Sequence, residues 1–122
     1  MGAPEGRLAA CPGTPNCVSS QESGRGFVAP LEFSDSAASA LARLQRILSS
    51  FPRTRIVEAT ESYLHAEVRS RFFGFVDDVE FYVDAPHHRV HVRSASRVGY
   101  SDFGVNRARV EAIRVKFALH DE

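Results

Sequence analysis

The sequence has zero net charge, little lysine or cysteine and no long apolar run. The lack of net charge and of a long apolar run argues against two classes of function. Fifteen Lys and Arg residues balance fifteen Asp and Glu residues, so the formal net charge is zero. This balance removes the bulk attraction used in non-specific binding to nucleic acid or an anionic membrane, so only a local patch could bind either. We expect no nucleic-acid partner. No apolar run approaches the ~20 residues of a membrane-spanning helix, so we also expect no transmembrane segment.

Length and composition indicate one globular domain. The chain has 122 residues, of which 43% are hydrophobic and 25% charged, values typical of a folded domain with a single core. Residues 1–26 contain more than half of the glycines, half of the prolines and both cysteines. This composition predicts an irregular arm over 1–26, followed by a single α+β domain over 27–122.

Hydrophobic periodicity divides the domain into two helices and a set of strands. Apolar residues recur every three or four positions over 34–51 and 105–119, which predicts helices capped by Ser34 or Asp35 and by Ser101 or Asp102. Alternation predicts strands over 63–69, 72–83 and 89–97, with short strands at 55–59 and 27–33. The expected fold is α+β in the order β-α-β-β-β-β-α. One antiparallel sheet of four to five strands carries both helices on one face, and its other face is polar and open.

The acidic run at 77–80 has two interpretations, which are an acidic pair for acid–base chemistry or divalent metal binding and a set of cross-strand ion pairs. Asp78 and Glu80 share the outward face with Glu67, Arg69, His91 and Arg93, so cross-strand ion pairing explains them. Asp77 faces the core in this register, which predicts a bulge at Asp77-Asp78 and a need for a partner.

The densest polar segment, 92–107, contains the components of an anion site. Strand-end arginines, hydroxyl groups and a helix N-terminus together suit a carboxylate or phosphate. The predicted ligand-binding residues are Arg93, Ser94, Ser96, Arg97, Ser101, Asp102, Asn106 and Arg107, with Asp77, Asp78 and Glu80 orienting the arginines. Pairing of Arg93 and Arg97 with nearby carboxylates is the alternative.

Cys11 and Cys17 enclose five residues that include Pro12, Gly13 and Pro15, a spacing that fits a tight disulfide-bonded loop. Two reduced cysteines are the alternative. We expect no metal site there, because no third or fourth ligand lies nearby.

Three segments of the chain resemble one family. They are Cys11-Pro12-Gly13-Thr14-Pro15-Asn16-Cys17-Val18-Ser19-Ser20, Phe75-Val76-Asp77-Asp78-Val79-Glu80-Phe81 and the run from Arg93 to Arg109. Together they are similar to the bacterial and plastid family catalogued as domain of unknown function 1499. The resemblance implies an exported, periplasmic or organellar, membrane-associated setting, although Met1–Arg7 contains no apolar segment of a signal peptide. It implies no activity.

Three functional hypotheses follow. The first is a non-catalytic module that binds an anionic small ligand or partner group. The second is an accessory subunit that docks peripherally on a membrane-associated protein complex. The third is a hydrolase or isomerase that uses Asp77 or Asp78 as a general base beside His65 or His91. We expect no cofactor and assign no catalytic residue, because no nucleophile motif surrounds the serines.

Overall fold

The computed structural model describes residues 1–99 and 101–119. Its main elements are β1 (Cys17–Ser19), β2 (Leu31–Glu32), α1 (Ala37–Ser50), β3 (Thr54–Ala59), β4 (Tyr63–Arg69), β5 (Val76–Asp84), β6 (Arg89–Ser96) and α2 (Val105–Leu119). The expected fold class is confirmed, since two helices and one antiparallel sheet form an α+β fold. The sheet has six strands rather than four or five. None of the described helices is long and apolar enough to cross a bilayer.

The sheet has the order β1-β6-β5-β4-β3, and β2 also pairs with β6. Its register places Ala66, Val79 and Ser94 side by side on one face, and Glu67, Asp78 and Ala95 side by side on the other. The first face contacts both helices. Its core is formed by buried side chains that include Leu44, Leu48, Leu64, Val79, Phe81, Val90, Val92, Val110, Ile113 and Phe117.

Helix α1 begins later than the periodicity predicts. The expected caps, Ser34 and Asp35, are wrong, because Ser36 is the N-cap and its Oγ accepts a hydrogen bond from the Ser39 amide. Asp35 instead binds the buried Arg43 guanidinium, which lies 4.1 Å from the Phe117 ring centroid. A tertiary contact therefore engages the acidic side chain that the sequence offers as a cap.

Strand β5 corrects two expectations. It begins at Val76 rather than Phe72, and it pairs with β4 without interruption from Arg69↔Val76 to Tyr63↔Tyr82. The bulge expected at Asp77-Asp78 is therefore absent from this pairing. The irregularity lies in β3, between Ile56 and Glu58. A bulge is unnecessary at Asp77 because α2 supplies a cationic partner for its carboxylate.

The edge beside β6 is built from two short strands. β1, from the N-terminal arm, pairs with Arg93–Ala95, and β2 pairs with Arg89–Val90. The strand expected over 27–33 is therefore only two residues long at Leu31–Glu32. β1 holds the arm against the end of β6 that leads to α2. The disulfide joins Cys11 of the arm to Cys17 of β1.

Candidate functional site

The sheet face turned away from the helices is polar, and its central part is buried. Cross-strand register aligns His65, Glu80 and Arg93, and all three are buried, with Glu80 0% exposed. The expectation of a polar face is correct, but the expectation that this face is open is wrong. Because buried charges require partners, the contacts of each group decide what it can do.

The Glu80 carboxylate has a hydrogen-bond partner on each of the two neighbouring strands. The Tyr63 Oη donates to Glu80 Oε1 at 2.6 Å, and Arg93 Nη1 donates to Oε2 at 3.3 Å. Arg93 Nη2 also donates to the Ala10 carbonyl oxygen, 3.4 Å away. Burial, and then the hydrogen bond to Glu80, raises the pKa of Tyr63 above its ordinary value. Both terminal nitrogens of Arg93 are thus engaged within the protein.

Asp78 lies at the centre of a second network. Arg97 binds it through two hydrogen bonds, Nε to Oδ2 at 2.7 Å and Nη2 to Oδ1 at 2.8 Å. His65 Nε2 lies 2.7 Å from Asp78 Oδ1. Burial raises the pKa of Asp78, but the hydrogen bonds from Arg97 and then His65 outweigh it, so this pKa lies below its ordinary value. The Arg97 Nη2 also binds Glu67 at 2.7 Å.

The N-terminal arm covers part of this polar face. Gly6 packs on the Tyr82 ring, where a Cβ at its φ of +76° would lie 3.1 Å from the nearest ring carbon. The Leu8 amide donates to the Gln21 side chain, and the Cys11 amide donates to the Glu22 carboxylate. The Cys11–Cys17 disulfide is formed, with a Cα–Cα distance of 5.7 Å. The arm is therefore part of the packed structure.

A different polar cluster lies on the helix side of the sheet. Arg109 Nη2 binds the Asp77 carboxylate at 2.8 Å, and its Nη1 donates to Asn106 Oδ1 at 2.7 Å. Ser94 Oγ donates to the same Asn106 oxygen at 2.6 Å, and Asn106 Nδ2 donates to Ser96 Oγ at 3.0 Å. The site predicted from the residues omits Arg109. The signal available for it is an inward Asp77 in need of a cation.

The N-terminus of α2 is occupied by a carboxylate of this chain. Asp102 Oδ1 accepts from the Gly104 amide at 2.8 Å, and Oδ2 accepts from the Asn106 amide at 3.1 Å. Burial raises the pKa of Asp102, but the Asn106 side-chain bond and the backbone bonds hold it below its ordinary value. The amides expected to receive an external anion therefore have an internal one.

The residues of the predicted anion site are divided by the sheet. Arg93, Arg97, Asp78 and Glu80 lie on the polar face, and Ser94, Ser96, Asp77, Asp102 and Asn106 lie on the helix side. Arg107 donates to the Phe27 carbonyl at 2.9 Å. Exposed Ser101 accepts a weak hydrogen bond from the Phe103 amide at 3.3 Å. A ligand role for these residues stays a prediction.

A groove of about 500 Å³ runs between the arm and the start of α2. The disulfide lines it together with the side chains of Glu22, Arg25, Asp102 and Arg107. These four groups carry both signs of charge in equal number, so the groove has no electrostatic preference for an anion. In the part of the chain that the structure describes, no cluster of three or more His, Cys, Asp or Glu could hold a metal ion.

The His65–Asp78 contact meets one condition of the enzyme hypothesis. A histidine beside a carboxylate can act in acid-base chemistry when a substrate can reach it. Here His65 is 8% exposed and Asp78 2% exposed. Neither lines the groove between the arm and α2 or the two grooves beside α1. The contact with Arg97 gives this pair a structural part in the sheet.

One end of the sheet exposes apolar side chains, and reasoning from the residues alone does not single it out as a site. We call this surface the aromatic end, and it consists of Phe72, Phe73, Phe75, Val98 and Phe103. Phe72 is 81% exposed, Phe73 78% and Phe103 95%. The Arg97 amide donates to the Val76 carbonyl, which joins the loop after β6 to the turn before β5. The signal in the sequence is the group of three phenylalanines at 72–75, a segment that alternation assigns to a strand.

The turn at the aromatic end has a defined geometry. Ser70 and Phe75 close it, because the Ser70 amide donates to the Phe75 carbonyl at 2.8 Å and Ser70 Oγ accepts from the Phe75 amide at 2.9 Å. Gly74 adopts a φ of +67°, which suits a tight turn. The Phe73 and Phe75 rings stack at 5.7 Å between centroids. The turn therefore directs Phe72 and Phe73 into solvent.

Arginines surround this turn. Arg53, Arg69 and Arg71 are exposed, and the Arg71 guanidinium lies 5.5 Å from the Phe72 ring centroid. Arg53 Nε donates to the Arg69 carbonyl at 3.2 Å, which places the start of β3 beside the turn. A neighbouring carboxylate, Glu67, binds Arg97 at 2.7 Å and lies 3.9 Å from Arg69. The aromatic end is therefore locally basic although the whole chain is neutral.

Comparison with known proteins identifies the family. The model described as Protein of unknown function (DUF1499) matches residues 7–117. The chain belongs to this family. Comparisons with curated proteins and with solved structures each found no match. The DUF1499 description assigns no activity to its members.

Proposed function

We propose that this DUF1499 chain is a non-catalytic binding module that docks through its aromatic end onto an anionic partner surface. The observation that carries this proposal is the exposure of five apolar side chains at one end of the sheet, each more than half exposed. Exposed apolar groups beside cationic side chains are typical of interaction sites.

The energetic argument rests on the phenylalanines. Burying one such side chain in an apolar environment stabilises a complex by about 1.5–3 kcal/mol. Phe72, Phe73 and Phe103 leave most of that stabilisation unused in the free protein. Phenylalanine and arginine are also among the residue types enriched at interfaces.

The anionic character of the partner follows from the exposed arginines. Arg93 and Arg97 are engaged by Glu80, Asp78 and Glu67. A ligand that bound them would compete with those carboxylates for the same guanidinium groups. The arginines of the turn, by contrast, are exposed beside the phenylalanines. We therefore propose that the anion contact lies at the end of the sheet and not at its centre.

Site-specific photocrosslinking tests the docking surface without assuming the partner. Benzoylphenylalanine replaces Phe73 in one variant and Val115, a residue of α2 that is 60% exposed, in the control. We expect adducts with components of a source-cell extract from position 73 and not from position 115. Equal labelling from both positions, or none from position 73, would refute the docking proposal.

A protein complex is the other occupant to consider, and the same experiment reports it. An adduct with a polypeptide would support an accessory subunit. An adduct with lipid would support a membrane surface. The exposed phenylalanines and arginines of the aromatic end favour the membrane surface.

A further inference from the structure

We infer that the partner of the aromatic end is the surface of an anionic lipid bilayer, into which Phe72 and Phe73 insert while the neighbouring arginines contact lipid phosphates. This inference rests on the proposed docking function. It adds the chemical class of the partner and the orientation of the protein on it.

The shape of the aromatic end favours lipid over protein. Phe72 and Phe73 project from a turn closed by Ser70 and Phe75, so this part of the surface is convex. Protein interfaces need a broad complementary surface, of about 800 Å² on each partner. A bilayer deforms around a protruding group and needs no preformed complement. Two phenylalanines at the tip of a turn therefore suit lipid.

The spacing of apolar and cationic groups matches the layers of a membrane interface. Arg71 is adjacent to Phe72, and Arg69 and Arg53 lie where β4 ends and β3 begins. Three residues of chain separate Arg69 from Phe72, and a fully extended chain spans about 3.3–3.6 Å per residue, so the Cα atoms of these two residues lie no more than about 11 Å apart. Amphipathic elements at an interface bury their apolar face about 5–10 Å deep, so these guanidinium groups would reach the phosphates. Arginine binds phosphate through its planar set of donors.

Charge segregation along β3 and β4 favours one orientation. The opposite end of β3 and β4 presents exposed Glu58 and Glu61. An anionic surface attracts the end that contains Arg53, Arg69 and Arg71 and repels the end that contains these glutamates. The protein would therefore stand with its strands pointing toward the bilayer.

Tryptophan fluorescence tests insertion directly, because the chain contains no tryptophan. Phe73→Trp places the reporter at the tip, and Val115→Trp is the matched control on α2. The probes are vesicles of phosphatidylcholine alone and vesicles in which about one third of the lipid is phosphatidylglycerol, a charge density at which basic residues bind the surface. We expect a blue shift of the emission of the Phe73→Trp variant, and quenching by lipids brominated on the acyl chain, only with the anionic vesicles. Emission of the Val115→Trp variant should not change.

Two further variants separate the apolar and electrostatic contributions. Phe72→Ser in the Phe73→Trp background should weaken vesicle partitioning about tenfold or more, as expected for the loss of one inserted ring. Arg71→Gln should weaken it about fivefold on anionic vesicles, because each arginine near such a surface adds about that factor. Circular dichroism checks that both variants remain folded.

The outcomes distinguish this inference from the docking function. Equal binding to both vesicle types, or none to either, refutes the bilayer inference. If crosslinking from position 73 then still yields one polypeptide, docking stands and the partner is a protein. A concentration-dependent blue shift of the Phe73→Trp variant without vesicles would identify a second copy of this chain as the occupant and would also refute the bilayer inference.

Discussion

Two regions of this protein reverse the usual placement of side chains. The polar face of the sheet buries Glu80, Asp78 and Arg93, whereas the aromatic end exposes Phe72 and Phe73. The buried charges have partners within the chain, so they stabilise the fold. The exposed rings leave most of their apolar surface in water. Buried charges and exposed rings therefore indicate function only where the fold provides no partner for them.

Among the changes to these two regions, Arg93→Met should cause the largest loss of stability. The substitution leaves the fully buried Glu80 carboxylate without its guanidinium, and removing one partner of a buried ion pair destabilises a protein by about 3–5 kcal/mol. Urea unfolding measures the change.

Two controls sharpen that measurement. Adding Glu80→Gln to Arg93→Met should recover much of the loss, because no buried charge remains to be compensated. Arg89→Met, which removes a 42% exposed side chain that pairs with Asp84, should lower the free energy of unfolding by about 1 kcal/mol or less. A melting temperature of Arg93→Met within about 2 °C of wild type would contradict the pairing.

Loss of the disulfide should have the next largest effect. In the chain-entropy model, opening the short loop closed by Cys11 and Cys17 lowers the free energy of unfolding by about 2–2.5 kcal/mol. Cys11→Ser with Cys17→Ser should show this loss and faster hydrogen exchange at the Leu8 amide, because the arm is then less restrained. A reductant should destabilise wild type and leave the double variant unchanged. Two free thiols after non-reducing isolation would rule out the bridge.

The pH dependence of stability should report the Asp78–Arg97 contact. Since hydrogen bonds from Arg97 and His65 outweigh burial and lower the pKa of Asp78, the folded state binds this proton less readily than the unfolded state. The resulting stabilisation is present above the ordinary carboxyl pKa of about 3.9 and is lost as the pH falls through the lower folded-state value. Urea unfolding measured as the pH is lowered from about pH 7 should show the loss, and Asp78→Asn should reduce it.

Removing Arg97 should weaken that dependence. In Arg97→Met, the hydrogen bond that contributes most to lowering the Asp78 pKa is lost while burial still raises this pKa, so less stability should be lost as the pH falls from about pH 7. At neutral pH the loss should be about 2 kcal/mol, less than for a fully buried pair because the Arg97 side chain is 44% exposed. An unchanged pH profile would show that Asp78 does not depend on Arg97.

The smallest effect on stability should come from the aromatic end. Replacing Phe72 and Phe73 with Ser should change the free energy of unfolding by no more than about 0.5 kcal/mol, since both side chains are exposed. Phe81→Ala, a buried phenylalanine of β5, should cost about 3–5 kcal/mol. A large loss of stability in the Phe72 and Phe73 variant would assign these rings to the fold rather than to docking.

Residue patterns predict much of the fold and little of the candidate site. The alternation around Leu64 and Phe81 indicates strands because adjacent strand residues point to opposite faces, and this is confirmed. The same pattern places Asp78 and Glu80 beside Arg93 and makes pairing one interpretation. It does not reveal that the arm covers them, because Ala10 and Arg93 are far apart in the chain.

The aromatic end shows the converse difficulty. Phe73 and Phe75 alternate like strand residues, and this pattern predicts a strand that begins at Phe72. The hydrogen bonds of Ser70 and the positive φ of Gly74 make this segment a turn instead. Burial of a ring depends on what packs against it, and local spacing carries no information about that.

Local periodicity and spacing, which act over a few residues, are sufficient for the α+β class, the helices, the main strands and the closeness of the two cysteines, and shared motifs are sufficient for the family. Long-range packing sets which carboxylate meets each arginine, closes the polar face with the arm and leaves the aromatic turn facing solvent. Those outcomes depend on packing between segments that are distant in the chain, because a charge or a ring gains its role from the groups that surround it in the folded state.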